Sequence, residues 1–444
     1  MMPASARTVE WTPAQPAIRR DAFVVDIASD HAAFVSLEDE WNDAVERAGV
    51  AHPFLRHEWV RTWWDAFRTP GARLYIQVVR AHGEITAIAP FMRDTTWMYG
   101  VPVRRVRFIQ NDHTPRADFI IAAQPEESYR AIWRALRADR DRWDVLQLSQ
   151  VQRESNTGRV VHDLAAADGF GTGLWKSGDS PYLPLSGTWE EYLNRLPAKF
   201  RSNLRNRMSR LTRLGAPTLE VLTERSAIEA ACEEAWRLES SGWKREAGTA
   251  ITCDPAVHRF YTDLVERGTA AGWLQLLFLK AGHRRIAASY GARFDNRLFL
   301  FKTGYDPEFA TAAPFKLLTY LAIQEAFAQG LTEVDFLGDA EPWKLEWTSS
   351  SRGHDWVFVF ADTWRGRLVH SIKFRWLPGL KRVRPLRRPA CRPTRGCRRS
   401  ISYARRRPGR RPAFRSTSRA GFRSIARATP SITSSARCSR GIRA

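Results

Sequence analysis

The sequence predicts an α/β protein of two tandem units with mixed sheets, followed by a basic C-terminal tail. Three observations predict it. A strand–turn–strand pattern occurs twice, about 200 positions apart. A helix and then a strand follow each copy, and the charge imbalance is confined to the last 64 residues.

Residues 74–89, LYIQVVRAHGEITAIA, are two β-rich runs around a His-Gly turn, and residues 274–289, LQLLFLKAGHRRIAAS, have the same shape. After the first copy, residues 126–140 read as an amphipathic helix with Tyr129, Ile132, Trp133 and Leu136 on one face. Residues 143–148, WDVLQL, read as its strand. After the second copy the helix is 314–329 and the strand 333–337, EVDFL. Shared order, length and spacing point to two copies of one α/β unit. The division is a loose leader at 1–20, a first unit at 21–180, a second at 181–375 and a tail at 381–444. The Gly-rich stretch 151–188 reads as the linker. Its Gly169, Gly171 and Gly173 lack the G-x-G-x-x-G spacing of a dinucleotide loop.

The net charge of +22 belongs to the tail. Of 69 Lys+Arg, 21 fall in residues 381–444, which hold no Asp or Glu, leaving 48 basic residues against all 47 acidic ones. The tail is Arg, Pro, Ser, Ala and Gly without periodicity, a composition expected to be disordered. It reads either as an arm for nucleic acid or another anionic surface, or as a shifted-frame translation of a GC-rich gene. With Lys381 its only lysine, the composition favours the second.

The five cysteines show neither a disulfide framework nor a zinc pattern. Residues 1–20 lack the apolar core of a signal peptide, and no apolar run reaches the ~18 residues of a membrane span. The expectation is a cytoplasmic protein without a metal.

Two segments carry candidate chemistry upstream. In residues 200–214, FRSNLRNRMSRLTRL, Phe200, Leu204, Met208, Leu211 and Leu214 line one helix face, and Gly215 suits a C-cap. Arg201 and Arg205 lie off that face and could grip an anionic group. Trp243 and Lys244 sit in a loop between two helices, where they could line an acceptor groove.

The richest segment is 297–347, read as strand, tight loop, helix, strand and an aromatic, charged loop. Pro314 at the first helical position leaves the N–H groups of Ala312, Ala313, Phe315 and Lys316 to face an anion. Asp335 falls in an apolar strand, where a carboxylate needs a partner or a task. Lys344 is the candidate partner. No P-loop pattern is present.

The stretches KFRSNLRNRMSRL, SGWKREAGTAI, LFLFKTGYDPEFATAAPFKLL and VDFLGDAEPWKLEW, in this order, resemble GNAT-fold acyltransferases of the CelD type, related to FemAB-like peptidoglycan enzymes. FIQNDHTPRADF, at 108–119, resembles the degenerate first unit of such proteins. The resemblance implies two tandem GNAT-like units, the second catalytic, and an acyl-CoA cosubstrate held at Ala312, Ala313, Phe315, Lys316 and Leu317. The family often has Pro-Gly in that loop, whereas here Phe315 follows Pro314. The implied reaction moves an acyl group, acetyl in the simplest case, to an amine or hydroxyl in exopolysaccharide or cell-envelope synthesis. Direct transfer needs a base, for which Asp335 and Glu239 are candidates, and an acid for the departing thiolate, for which Tyr305 and Tyr320 are. Arg201, Arg205, Trp243, Lys244 and Lys344 are candidate substrate contacts. Aminoacyl transfer to a cell-wall precursor and non-enzymatic nucleic-acid binding through the tail are the alternatives. The acceptor and the oligomeric state stay open.

Overall fold

The computed structural model describes residues 23–241, 248 and 250–377. The readings of 1–20, 381–444, Trp243 and Lys244 therefore lie outside the described residues. The strands are β1 (Val24–Ala28), β2 (Arg73–Leu74), β3 (Ile76–Ala81), β4 (Glu84–Ala89), β5 (Phe91–Met98), β6 (Val101–Phe108), β7 (Ile120–Ile121), β8 (Val145–Gln152) and β9 (Gly171–Pro184), then β10 (Pro217–Leu222), β11 (Leu274–Ala281), β12 (Arg284–Phe294), β13 (Arg297–Tyr305), β14 (Glu333–Asp335) and β15 (Ser351–Phe360).

Both expected hairpins form. β3 pairs antiparallel with β4 across a turn in which His82 and Gly83 have φ of 53° and 86°, and β11 pairs with β12 in the same sense. Each copy continues into a parallel pair bridged by a helix. β6 and β8 flank the helix Pro125–Ala138; β13 and β14 flank the helix Pro314–Ala328. A parallel pair needs such a crossover, because a tight turn can only reverse the chain.

The two halves share one sheet. Four strands form the order β1-β3-β4-β7, and eleven run β10-β11-β12-β13-β14-β9-β15-β8-β6-β5-β2. In the middle of the large sheet, β9 pairs with both β14 and β15. Beside it, Leu183, Val334 and Leu298 join the apolar core under the helices Ala198–Thr212 and Pro314–Ala328.

Residues 151–188 are not a plain linker. They hold the helix Asn156–Ala167 and the 14-residue strand β9. The glycines that suggested a loop make room on the strand. A Cβ on Gly173 would lie 2.2 Å from the Phe374 ring, and one on Gly171 3.3 Å from the His370 ring, because the helical segment at 364–376 crosses this face. The helix expected at 200–214 spans Ala198–Thr212. Phe200, Leu204 and Leu211 are buried, but Leu214 lies beyond its end and is exposed.

Gly304 permits a close approach that positions the site described below. A Cβ there would stand 2.3 Å from both Glu239 Cα and the Leu238 carbonyl oxygen. The end of the helix Arg225–Glu239 therefore rests directly on β13. Backbone atoms cannot yield as a side-chain tip can, so Gly304→Ala is expected to cost about 3 kcal/mol. A lowered urea midpoint is the measurement, and an unchanged midpoint would refute this packing.

Candidate active site

The candidate site is the space between β13 and β14. The two strands pair over only three positions, Arg297–Phe299 against Glu333–Asp335. β13 then continues to Tyr305 while the other chain leaves the sheet. The departure is abrupt because Leu337 and Gly338 both adopt left-handed backbone, with φ of 54° and 58°. For leucine this conformation costs of the order of 1 kcal/mol and requires support. Asp335 Oδ1 accepts the Leu337 N–H at 2.9 Å, and Lys344 Nζ donates to the Leu337 and Asp339 carbonyls at 2.7 and 2.9 Å.

The diverging arms enclose a cavity of about 670 Å³. Residues 300–305 form one wall and residues 336–339 another; Asp112, His113, Thr114, Gln150, Ser180 and His354 close it from the first half and the central strands. Gln150 also has positive φ, 61°. Tyr305, Pro307, Phe315 and Trp343 also line the cavity, and the Phe315 and Trp343 rings meet edge-on at 4.6 Å.

Asp335 anchors the construction and lies beside the cavity rather than on its wall. It is fully buried, ion-paired to Arg116 and 3.1 Å from Arg352 Nη1; Arg352 also bonds Glu333 at 2.8 Å. The partner expected for Asp335 was Lys344, but the structure supplies these two arginines. Lys344 instead braces the loop, with burial pushing its amine down.

The candidates separate clearly. Glu239, Tyr305, Phe315 and Lys344 line the cavity. Glu239 is buried, and its Oε2 accepts the Ile251 N–H at 2.9 Å. Tyr320, Arg201 and Arg205 instead line a separate hollow of about 150 Å³, and the Tyr320 ring packs on Trp189 at 5.0 Å. At the helix start, Ala313 has left-handed backbone, φ 51°. Its N–H is bonded to the Ala310 carbonyl, and the Lys316 N–H to the Ala313 carbonyl. Two of the four N–H groups expected to face an anion are thus already engaged. Ala312 and Leu317 are fully buried, and Lys316 is ion-paired to Glu346.

Among the described residues no cluster of three or more His, Cys, Asp and Glu is placed to hold a metal ion. No helix there is long and apolar enough to cross a membrane.

Residues 198–345 match the family model described as an acetyltransferase (GNAT) domain. The segment 198–345 is therefore similar to a GNAT acetyltransferase domain. The match begins with the helix Ala198–Thr212 and takes in both arms of the cavity. No curated protein matches the chain. Among solved structures, FemX is similar over 78% of this chain and 99% of its own, at 12% identity and a TM-score of 0.51. The L-PGS structure from Bacillus licheniformis covers 75% of this chain and 95% of its own, at 12% identity and 0.44. A tandem GNAT protein from the clavulanic acid biosynthesis pathway covers 75% and 98%, at 13% identity and 0.40. At these identities the FemX likeness speaks for the fold alone.

Sequence reasoning did not single out His113 and His354, which face the GNAT cavity from outside the matched domain. Burial pushes both rings down to about 4; Lys302 adds to this at His113 and Arg116 at His354. His52, also buried, is pushed well below its ordinary range. Each folded value is depressed below the ordinary 6.5. The unfolded chain thus takes up protons first, so stability is full above that value and lost as pH falls from about 6.5 towards 4. Urea midpoints measured across this interval should drop, and less steeply in His113→Gln than in the native protein.

A second prediction concerns the buried ion pairs. Arg116→Met leaves Asp335 short of one partner and should cost roughly 3–5 kcal/mol, whereas Arg116→Met with Asp335→Leu should cost less than the sum of the single changes. Strict additivity in denaturant unfolding would refute the coupling.

Proposed function

We propose that the protein transfers an acyl group from acyl-CoA to a hydroxyl or amine acceptor bound in the β13–β14 cavity. The observation that carries this reading is the divergence of β13 and β14 inside the GNAT domain, with Glu239 among the residues that line the cavity. The division into units at 21–180 and 181–375 belongs to the same reading, with the donor on the second.

The acyl-CoA enters as a substrate along the lining residues Tyr305, Pro307, Phe315 and Trp343. The aromatic edges there suit the apolar arm of the donor. Phe315 contributes its ring to this passage rather than its position to a phosphate cradle. The acceptor attacks the thioester carbonyl, a C–O or C–N bond forms as the C–S bond breaks, and the departing thiolate takes up a proton. Glu239, with one oxygen fixed by the Ile251 N–H, is the base that removes the acceptor proton. Tyr305, on the cavity lining, is the acid for the thiolate. Asp335 has two arginine partners and no place on the cavity wall, so its part is to hold the wall in shape. A cytoplasmic setting and a part in polysaccharide or envelope synthesis complete the proposal.

Acetyl-CoA should raise the melting temperature progressively with concentration. No stabilisation by acetyl-CoA or longer acyl-CoA would sink the reading. Over a panel of alcohols and amines, Glu239→Gln should lower the turnover seen as CoA release by about 10²-fold with donor affinity retained.

A further inference from the structure

Aromatic and cationic side chains gather on the outer face of the helical segment 364–376, WRGRLVHSIKFRW. The sheet accounts for its inner face. Val369 joins Val101, Val103, Val145, Phe358 and Phe360 in one apolar cluster, and Leu368 and Phe374 pack against it. Trp364, Arg367, Arg375 and Trp376 are left exposed, the two tryptophans at 61% and 57%. Four tryptophans are exposed among the described residues. Two of them end this segment, and a third, Trp175, lies beside it with Lys373 Nζ 4.8 Å from its ring.

An exposed tryptophan forgoes much of the roughly 150–250 Å² it could bury. Two of them on one short segment, with Ile372 and Leu377 only half-buried, leave apolar surface in water that a partner would cover. The same segment has four Lys and Arg and no Asp or Glu. Asp144 stands 3.8 Å from Arg365, and Asp362 3.4 Å from Arg367. Neither Lys373 nor Arg375 pairs with a carboxylate among the described residues. Residues 381–444 add 21 cations and no acid, so nothing downstream offsets this charge.

Exposed rings beside unmatched cations fit an anionic lipid surface. Tryptophan favours the layer between headgroups and acyl chains, where its ring is in apolar surroundings and its N–H stays wet. A neighbouring Arg or Lys meets lipid phosphate there, and each strengthens attachment about fivefold near a charged leaflet. Two other occupants fit this face less well. A second copy across a two-fold axis would set the cations against themselves. A nucleic acid would take the cations but leave Ile372 and Leu377 without an apolar partner. Among the described residues no helix is long and apolar enough to cross a membrane, so the contact is one of lying on the surface.

We infer that segment 364–376 docks the protein on a membrane surface that carries anionic lipid, with Trp364 and Trp376 in the headgroup layer and Arg367 and Arg375 on the phosphates. The inference uses no residue of the cavity and is independent of the transferase reading.

The test is co-sedimentation of the full-length chain with vesicles of phosphatidylglycerol and phosphatidylcholine in equal parts, and with vesicles of phosphatidylcholine alone. The native chain should sediment with the first and not with the second. Trp364→Ser combined with Trp376→Ser should lower the partition coefficient about tenfold, and Arg375→Gln about fivefold. The substituted side chains are exposed, so urea midpoints close to the native value should report that both variants fold. The inference is overturned if the native chain stays in solution with both vesicles, as it would if this face took nucleic acid, or if it binds the neutral vesicles equally. It is overturned too if the tryptophan variant binds as tightly as the native chain, which would assign attachment to the basic tail. A native dimer in light scattering that the tryptophan variant loses would give the face to a second copy instead.

Discussion

The buried carboxylate of Asp335 is the constraint from which the site follows. A charge with no access to water is tolerable only when paired and hydrogen-bonded, and Asp335 is bonded to Arg116, Arg352 and the Leu337 N–H. Arg116 comes from the first half, Arg352 from β15 and Leu337 from the turn that leaves the sheet. One side chain thus joins the halves, fixes the end of β14 and supports a left-handed leucine.

What could be read from the sequence was local. The hairpins and crossover helices announce themselves through alternation, turn residues and helical periodicity, and they stand within a few residues of their expected bounds. β9 did not, because Gly171 and Gly173 read as loop until the helical segment laid over them is known. Asp335 could be flagged as a buried charge, but its partner Arg116 lies 219 positions away, and nothing local distinguishes that arginine from its neighbours. The helix start at Pro314 was correctly placed as a cap, yet hydrogen bonds within the preceding turn had already taken up N–H groups that the pattern left open. His354 is one polar residue in an alternating strand. Only the fold brings it to the cavity lining.

The backbone outliers tell a consistent story with these contacts. Gln150, Leu337 and Gly338 all have positive φ, and all line the cavity. Strain of this kind persists where surrounding bonds over-determine the chain. At Leu337 and Gly338 it turns the chain away from the sheet at the end of β14, and at Gln150 it falls at the register shift between β8 and β15. Gly304 acts in the opposite direction, letting the helix that carries Glu239 press onto β13.

The two halves show why one of them carries the cavity. β6 and β8 also pair in parallel over only three positions, as β13 and β14 do. In the first half, however, the space beyond the pair is filled. Ala117 and Phe119 pack with Phe108, Leu148 and Val151 in one apolar cluster, the Ala117 N–H bonds the Gln150 carbonyl at 3.2 Å, and the Phe108 and Phe119 rings meet at 5.7 Å. The segment that fills this crevice is also the one that carries His113 and Thr114 to the other cavity and Arg116 to Asp335. Closing the first crevice and walling the second are thus the work of one stretch of chain. A duplicated unit that kept both open would lack the wall that His113 and Thr114 provide. The asymmetry between the halves is in this sense a condition of the site.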